Sequence, residues 1–157
     1  MTPIRARQAR DALWNVVTAA VEALDIPVDL KFRDVRLINP ADVAPSGMKA
    51  AVSLYVEPIP KSEDFLQGDP ESWDVQARFG VGIEVLGQDD SARFALADQI
   101  HDAISDAIRT DYTLGGVVNY ASAAQCEPED LKQDGMPGDT LIGLSVEVDF
   151  SGISPVG

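Results

Sequence analysis

A handful of residues have types and spacings with chemical meaning. His101 is the single histidine of the chain and Cys126 the single cysteine. A Ser–His–Asp triad would have to pass its proton through His101. No Gly-x-Ser-x-Gly elbow accompanies it, since Gly143-Leu-Ser145-Val-Glu147 breaks that pattern inside a strand-like segment. His101 therefore reads as a hydrogen-bonded boundary residue inside a helix, beside its apolar stripe. Cys126 is followed by Glu127 and Glu129, negative neighbours that oppose thiolate formation. It reads as a buried or boundary cysteine. Gly80-Val-Gly82 is half of a dinucleotide fingerprint, but Val85 stands where the third glycine belongs and the segment runs on as a strand. Asp130, Lys132, Asp134 and Gly135 imitate the start of a calcium loop. Lys132 and Leu141 occupy the third and twelfth places, where an acid or amide and a glutamate are needed. A solvated acidic loop is the expectation. No catalytic residue, metal site or cofactor is expected.

One charge pattern remains. Asp98, Asp102 and Asp106 are spaced i, i+4, i+8, which stacks three like charges on one side of a helix at a cost of a few tenths of a kcal/mol per pair. A solvated face is the plain explanation. The sharper one is an electrostatic face, turned toward a DNA passage or a basic partner.

The elements that must position these groups follow from hydrophobic period. Ile4, Leu13, Val16, Val17, Ala20, Val21 and Leu24 recur at helical spacing. They predict a helix over 3–24, capped by Thr2 with Pro3 at its first position and ended before Pro27. Strands are expected at 33–39 and 51–57. Residues 75–86 alternate Val75, Ala77, Phe79, Val81, Ile83 and Val85 on one face. A second helix over 91–110 carries Phe94, Ala97, Ile100, Ile104, Ala107 and Ile108 as its apolar stripe. Residues 113–116 turn, and strands follow at 117–125 and 141–150. Long polar loops are expected at 58–73 and 127–139. The order α-β-β-β-α-β-β points to an α+β fold, two helices packed on a mostly antiparallel sheet. With 157 residues, one domain spanning 1–157 is expected.

Charge excludes whole classes of function. The chain has 12 basic and 26 acidic residues, net −14, and its hydrophobic fraction of 45% is that of a globular protein. Residues 79–157 contribute −11 of that charge, 3 basic against 14 acidic groups. Sequence-specific nucleic-acid binding needs a basic stripe, and the one basic cluster is Arg5, Arg7 and Arg10. These arginines, in an acid-free opening, weakly imitate a transit peptide; a folded helix is the better reading. No apolar run of membrane-spanning length occurs in the sequence, and a single cysteine forms no internal disulfide. An intracellular protein with no membrane partner is expected. Arg5 and Arg7 also sit against the dipole of a helix N-terminus, which hints at a partner for them.

The stretch 75–150 resembles phage tail-terminator (tail-completion) proteins of the lambda minor tail protein U type. A long strand at 75–86 leads into the helix Ser-Ala-Arg-Phe-Ala-Leu-Ala-Asp-Gln-Ile-His-Asp-Ala-Ile from Ser91. That helix runs to Asp111-Tyr-Thr-Leu-Gly-Gly-Val-Val118, similar to the D-x-T-L-G-G-x-V ending common in that family. An acidic connector and an alternating last strand follow. The resemblance implies a structural virion protein without catalytic activity. Its copies would form a ring, six by family pattern, that caps the tail tube, stops its polymerisation and docks the head. The implied partners are other copies of itself, the tail tube protein and a head connector or neck protein, with DNA only in transit. The implied place is the head-proximal end of the tail, after assembly in the host cytoplasm. On this reading Arg5, Arg7, Arg10, Lys61 and Trp73 are candidates for subunit or tube contacts, and Asp98, Asp102 and Asp106 for the lumen face. A neck or head-completion protein is the neighbouring alternative. A small-ligand binder or enzyme centred on His101 or Cys126 is the alternative from another class.

Overall fold

A computed structural model describes residues 3–32, 50–56, 61–65, 73–85, 90–125, 129–131 and 139–153. Two strands form its spine. The alternation that begins at Val75 produces a strand over Trp73–Val85, which pairs antiparallel with Asp139–Gly152 along its whole length, from Trp73 opposite Gly152 to Val85 opposite Thr140. In chain order the described elements are α1 (Ala6–Glu22), β1 (Val28–Phe32), β2 (Ala50–Val56), β3 (Lys61–Phe65), β4 (Trp73–Val85), α2 (Asp90–Thr110), β5 (Tyr120–Gln125), β6 (Glu129–Leu131) and β7 (Asp139–Gly152). The sheet runs β1-β2-β4-β7-β5, with β3 on β4 and β6 on β7. Each pair is antiparallel except β1 with β2. The expected α+β class, two helices on a mostly antiparallel sheet, is what the chain forms.

Period-two patterning decides which face is covered. Val75, Ala77, Phe79, Val81, Ile83 and Val85 of β4 are buried, as are Leu144, Val146, Val148 and Phe150 of β7. They share a core with Ala9, Leu13, Val17 and Val21 of α1 and Ala97, Ile100, Ile104 and Ile108 of α2. Burying side chains of this size stabilises the fold by about 1.5–3 kcal/mol each. On the opposite face Arg78 and Glu147 stand directly across from one another, Nη2 to Oε1 at 2.7 Å, both well exposed. Such an exposed pair contributes at most about 1 kcal/mol.

Several expectations are corrected by long-range pairing. The first helix begins at Ala6, after residue Arg5, and not at Pro3. The Ile4 amide donates to the Ser151 carbonyl (2.8 Å) and the Ile4 carbonyl accepts from Ile153 (3.1 Å), so the end of β7 holds this segment extended. Gln8 Oε1 then accepts from the Arg5 amide at 2.8 Å, half of a capping box; arginine has no acceptor to supply the other half. The loops expected at 58–73 and 127–139 contain the short strands β3 and β6. Polar three- and five-residue strands show no hydrophobic alternation; they form because β4 and β7 extend past β2 and β5 and offer open ladder edges. Val28–Phe32 forms a strand without a period of its own, by parallel pairing with β2. The strand expected at 33–39 lies outside the described residues. The strand expected from 117 starts at Tyr120, because the Thr113 carbonyl accepts the amides of Gly116, Val117 and Val118 at 3.0–3.1 Å and keeps them in the turn.

Candidate functional site

The surface groups gather at two places, and connectivity sets them at opposite ends of the sheet. Residues 86–89 join the end of β4 to α2, so the N-terminal half of α2 lies near the Val85–Thr140 end. At the far end of α2 the Ala121 amide donates to the Tyr112 carbonyl (2.7 Å) and the Asn119 amide to the Asp149 carbonyl (2.9 Å). The Ile4–Ser151 and Ile4–Ile153 bonds bring the start of α1 to that same end. At this second place, a corner at one end of the sheet, the exposed Arg5 and Arg7 follow Ile4 in sequence, and Ile4 is bonded to the end of β7 on which Tyr112, Tyr120 and Ile153 also lie.

The corner is shaped by the turn that follows α2. Leu114, Gly115 and Gly116 take left-handed φ values of +50°, +74° and +83°. Leu114 accepts this conformation because its side chain is buried in the core. Both carboxylate oxygens of Asp111 lie 3.0 Å from the Gly115 amide, and the Gly116 amide also donates to Thr113 Oγ1 at 3.2 Å. Each of Asp111, Thr113, Leu114, Gly115 and Gly116 thus has its own task in reversing the chain from α2 into β5. The Tyr112 and Tyr120 rings meet across the reversal, centroids 5.7 Å apart and tilted by 45°.

The other place is the polar side of α2. Phe94, Asp98, Asp102 and Asp106 follow each other there at i+4 steps, all exposed. The three aspartates are not equivalent. Asp106 Oδ1 is in close contact with Arg109 Nη2, and Asp102 Oδ1 lies 3.2 Å from His101 Nδ1. His101 itself is largely covered, its side chain 13% exposed. Its Nε2 is buried without a hydrogen-bond partner. Of its two nitrogens, Nδ1 thus faces the exposed Asp102 and Nε2 faces the interior.

Phe94 is a correction to the expected apolar stripe. It is 37% exposed, while Arg93 and Leu96 are buried in its stead. The core arc of α2 is centred on Ala97, Ile100, Ile104 and Ile108; Phe94 lies about a quarter turn away at 100° per residue. A helical wheel would have found it; the burial of Arg93 has no signal in the sequence.

Two other candidates for subunit or tube contacts have these places. Trp73, expected at the end of a loop, opens β4, pairs in register with Gly152 and packs half-buried on the core. Arg10 is half-buried along α1 with Nε 3.4 Å from Asp11 Oδ1. Lys61 begins β3 opposite Gln76. Asp130 begins no calcium loop but lies in β6, opposite Thr140. Cys126, Lys132, Asp134 and Gly135 lie outside the described residues. Among the described residues no group of three or more His, Cys, Asp or Glu side chains is placed to hold a metal ion, and no helix is long and apolar enough to cross a membrane. Sequence reasoning missed the Tyr112–Tyr120 pair, since only the fold brings a turn residue against a strand residue.

No protein-family model matches the chain, and no curated protein matches it. Among solved structures, the fold is similar to a chain from the virion of a native gene transfer agent particle. The identity is 16%, over 90% of this chain and 93% of that one, with a TM-score of 0.48. A second solved chain matches at 17% identity over 87% of this chain and 95% of that one, TM-score 0.36.

Proposed function

We propose that this chain is a non-catalytic structural protein of a phage-like tail, a single-domain tail terminator. Its copies form a ring that caps the tail tube and receives the head. The observation that carries this reading is the segment 111–118. The residues that resemble the tail-terminator ending are the ones the turn uses: Asp111 as acceptor for the Gly115 amide, Thr113 as acceptor for three amides, Leu114 as a buried plug, and Gly115 and Gly116 in left-handed backbone. In this chain those residues build the turn, and long strand, helix, turn and last strand follow in the order the resemblance implies, which supports the reading. The acidic balance, −14 per copy, suits a passage that must not retain DNA.

Solution mass with negative-stain imaging, at low and high salt and with magnesium, tests the ring. Six copies of 16.8 kDa make a particle of about 101 kDa with closed rotational symmetry. Added salt or magnesium should favour it by screening the repulsion between acidic copies. Added to polymerising tail tubes, the protein should fix tube length. Tubes that grow past it, together with binding to portal-side components instead, would transfer the chain to the neck.

A further inference from the structure

Resting on the ring reading above, we propose that copies of this chain join head to tail. The corner of Arg5, Arg7, Tyr112, Tyr120 and Ile153 on one copy seats on the α2 face of Phe94, Asp98 and Asp102 on the next.

Two independent observations meet here. The first is apolar exposure. Among the described residues the exposed large hydrophobic side chains are Phe94 (37%), Tyr112 (50%), Tyr120 (54%) and Ile153 (40%), and all four belong to one or the other of these places. Aromatic and arginine side chains are the usual anchors at the centre of an interface. The second is charge. A chain at −14 repels its own copies unless a local cation meets a local anion. Arg10, Arg78 and Arg109 each lie against an acid of their own molecule, and Arg93 is buried. Arg5 and Arg7 are exposed at the start of α1, free to meet another copy. On the α2 face Asp106 is engaged by Arg109, and Asp102 lies 3.2 Å from His101 while its side chain stays 75% exposed; Asp98 and Asp102, beside Phe94, are the anionic half.

The two halves lie at opposite ends of the sheet, so one copy cannot join them to each other. Each copy uses one and offers the other, a heterologous contact that closes into a ring when its rotation permits. The same face was a candidate for the lumen. Phe94 decides between the two uses, because a half-exposed phenyl ring beside the acids has an occupant in an interface and none along a passage for DNA.

The test is a charge-reversal exchange. One variant carries Arg5→Glu and Arg7→Glu, the other Asp98→Lys and Asp102→Lys. All four positions are exposed, so circular dichroism should match the parent. Sedimentation velocity over a concentration series should show each variant alone associating at least about tenfold more weakly. An equimolar mixture should recover association, because the acid face of the first and the basic corner of the second are both intact. Tyr120→Ser supplies an uncharged variant expected to weaken association without altering net charge. Rings that form unchanged in each variant overturn the interface and leave the ring reading standing. Open chains or dimers that are lost and recovered in this pattern support the interface and overturn the ring. A parent chain that stays monomeric at millimolar concentration overturns both. Unchanged association with DNA newly retained by the lysine variant returns the face to the lumen and overturns the interface.

Discussion

Replacing Gly116 by alanine isolates one physical term in the turn that carries the proposed family likeness. Its φ is +83°, and an added Cβ meets nothing within 4 Å. The substitution therefore introduces no clash; it only asks an L-residue to hold a left-handed backbone, which costs about 1–2 kcal/mol. Alanine also narrows the unfolded ensemble, an offset of about 0.4–1 kcal/mol. The net expectation is a loss of about 1 kcal/mol. Gly115, at φ +74° and equally open, should lose the same. Removing the Asp111 carboxylate, which faces the Gly115 amide from two oxygens at 3.0 Å, should cost about 1.5 kcal/mol, the low end for a bond to a charged group because the site is solvent-facing. Asp111→Ala combined with Gly115→Ala should cost less than their sum, since both act on one amide. Urea unfolding of each variant at one protein concentration, under conditions where the parent is monomeric, reads these differences without linkage to assembly. At 157 residues, 1 kcal/mol also corresponds to about 2–4 °C in Tm. A Gly116→Ala protein as stable as the parent would refute the reasoning, because the turn would then not need the left-handed geometry.

Leu114 supports the same argument from the other side. At φ +50° with a buried side chain, Leu114→Ala should lose about 2–4 kcal/mol of packing. Leu114→Gly should be no worse, since glycine relaxes the backbone as it removes the side chain; a glycine variant clearly less stable in urea would contradict that. Leu13 is fully buried in α1, and Leu13→Ala should cost about 3 kcal/mol by the same assay, with a loss under about 1 kcal/mol ruling out the α1 packing. Thr18 Oγ1 is buried without a hydrogen-bond partner, so Thr18→Val should be neutral or stabilise by up to about 1 kcal/mol. A clear loss in its thermal melt would mean that the hydroxyl has a partner.

The sequence by itself determined the parts of this protein that depend on local periodicity. The alternation from Val75 to Val85 and from Leu144 to Phe150 specifies two strands, each with one buried face, because side chains in a strand alternate by two whatever surrounds them. The spacing of Leu13, Val17 and Val21, and of Ala97, Ile100, Ile104 and Ile108, specifies two amphipathic helices. The Thr-Leu-Gly-Gly stretch announces a reversal, since glycine is the residue that left-handed backbone favours. The i+4 row of Asp98, Asp102 and Asp106 was equally legible. Tertiary structure decided the rest, because the deciding partners lie far away in the chain. The start of α1 was set by Ser151 and Ile153. The strands β3 and β6 exist because longer neighbours left ladder edges for them. Which neighbour each acid of that row has was settled by Arg109 and His101. The corner of Tyr112, Tyr120 and Ile153 beside Arg5 and Arg7 joins residues from both ends of the chain. Local period has no access to such pairings, since a side chain's surroundings are fixed only when the sheet has brought distant strands into register.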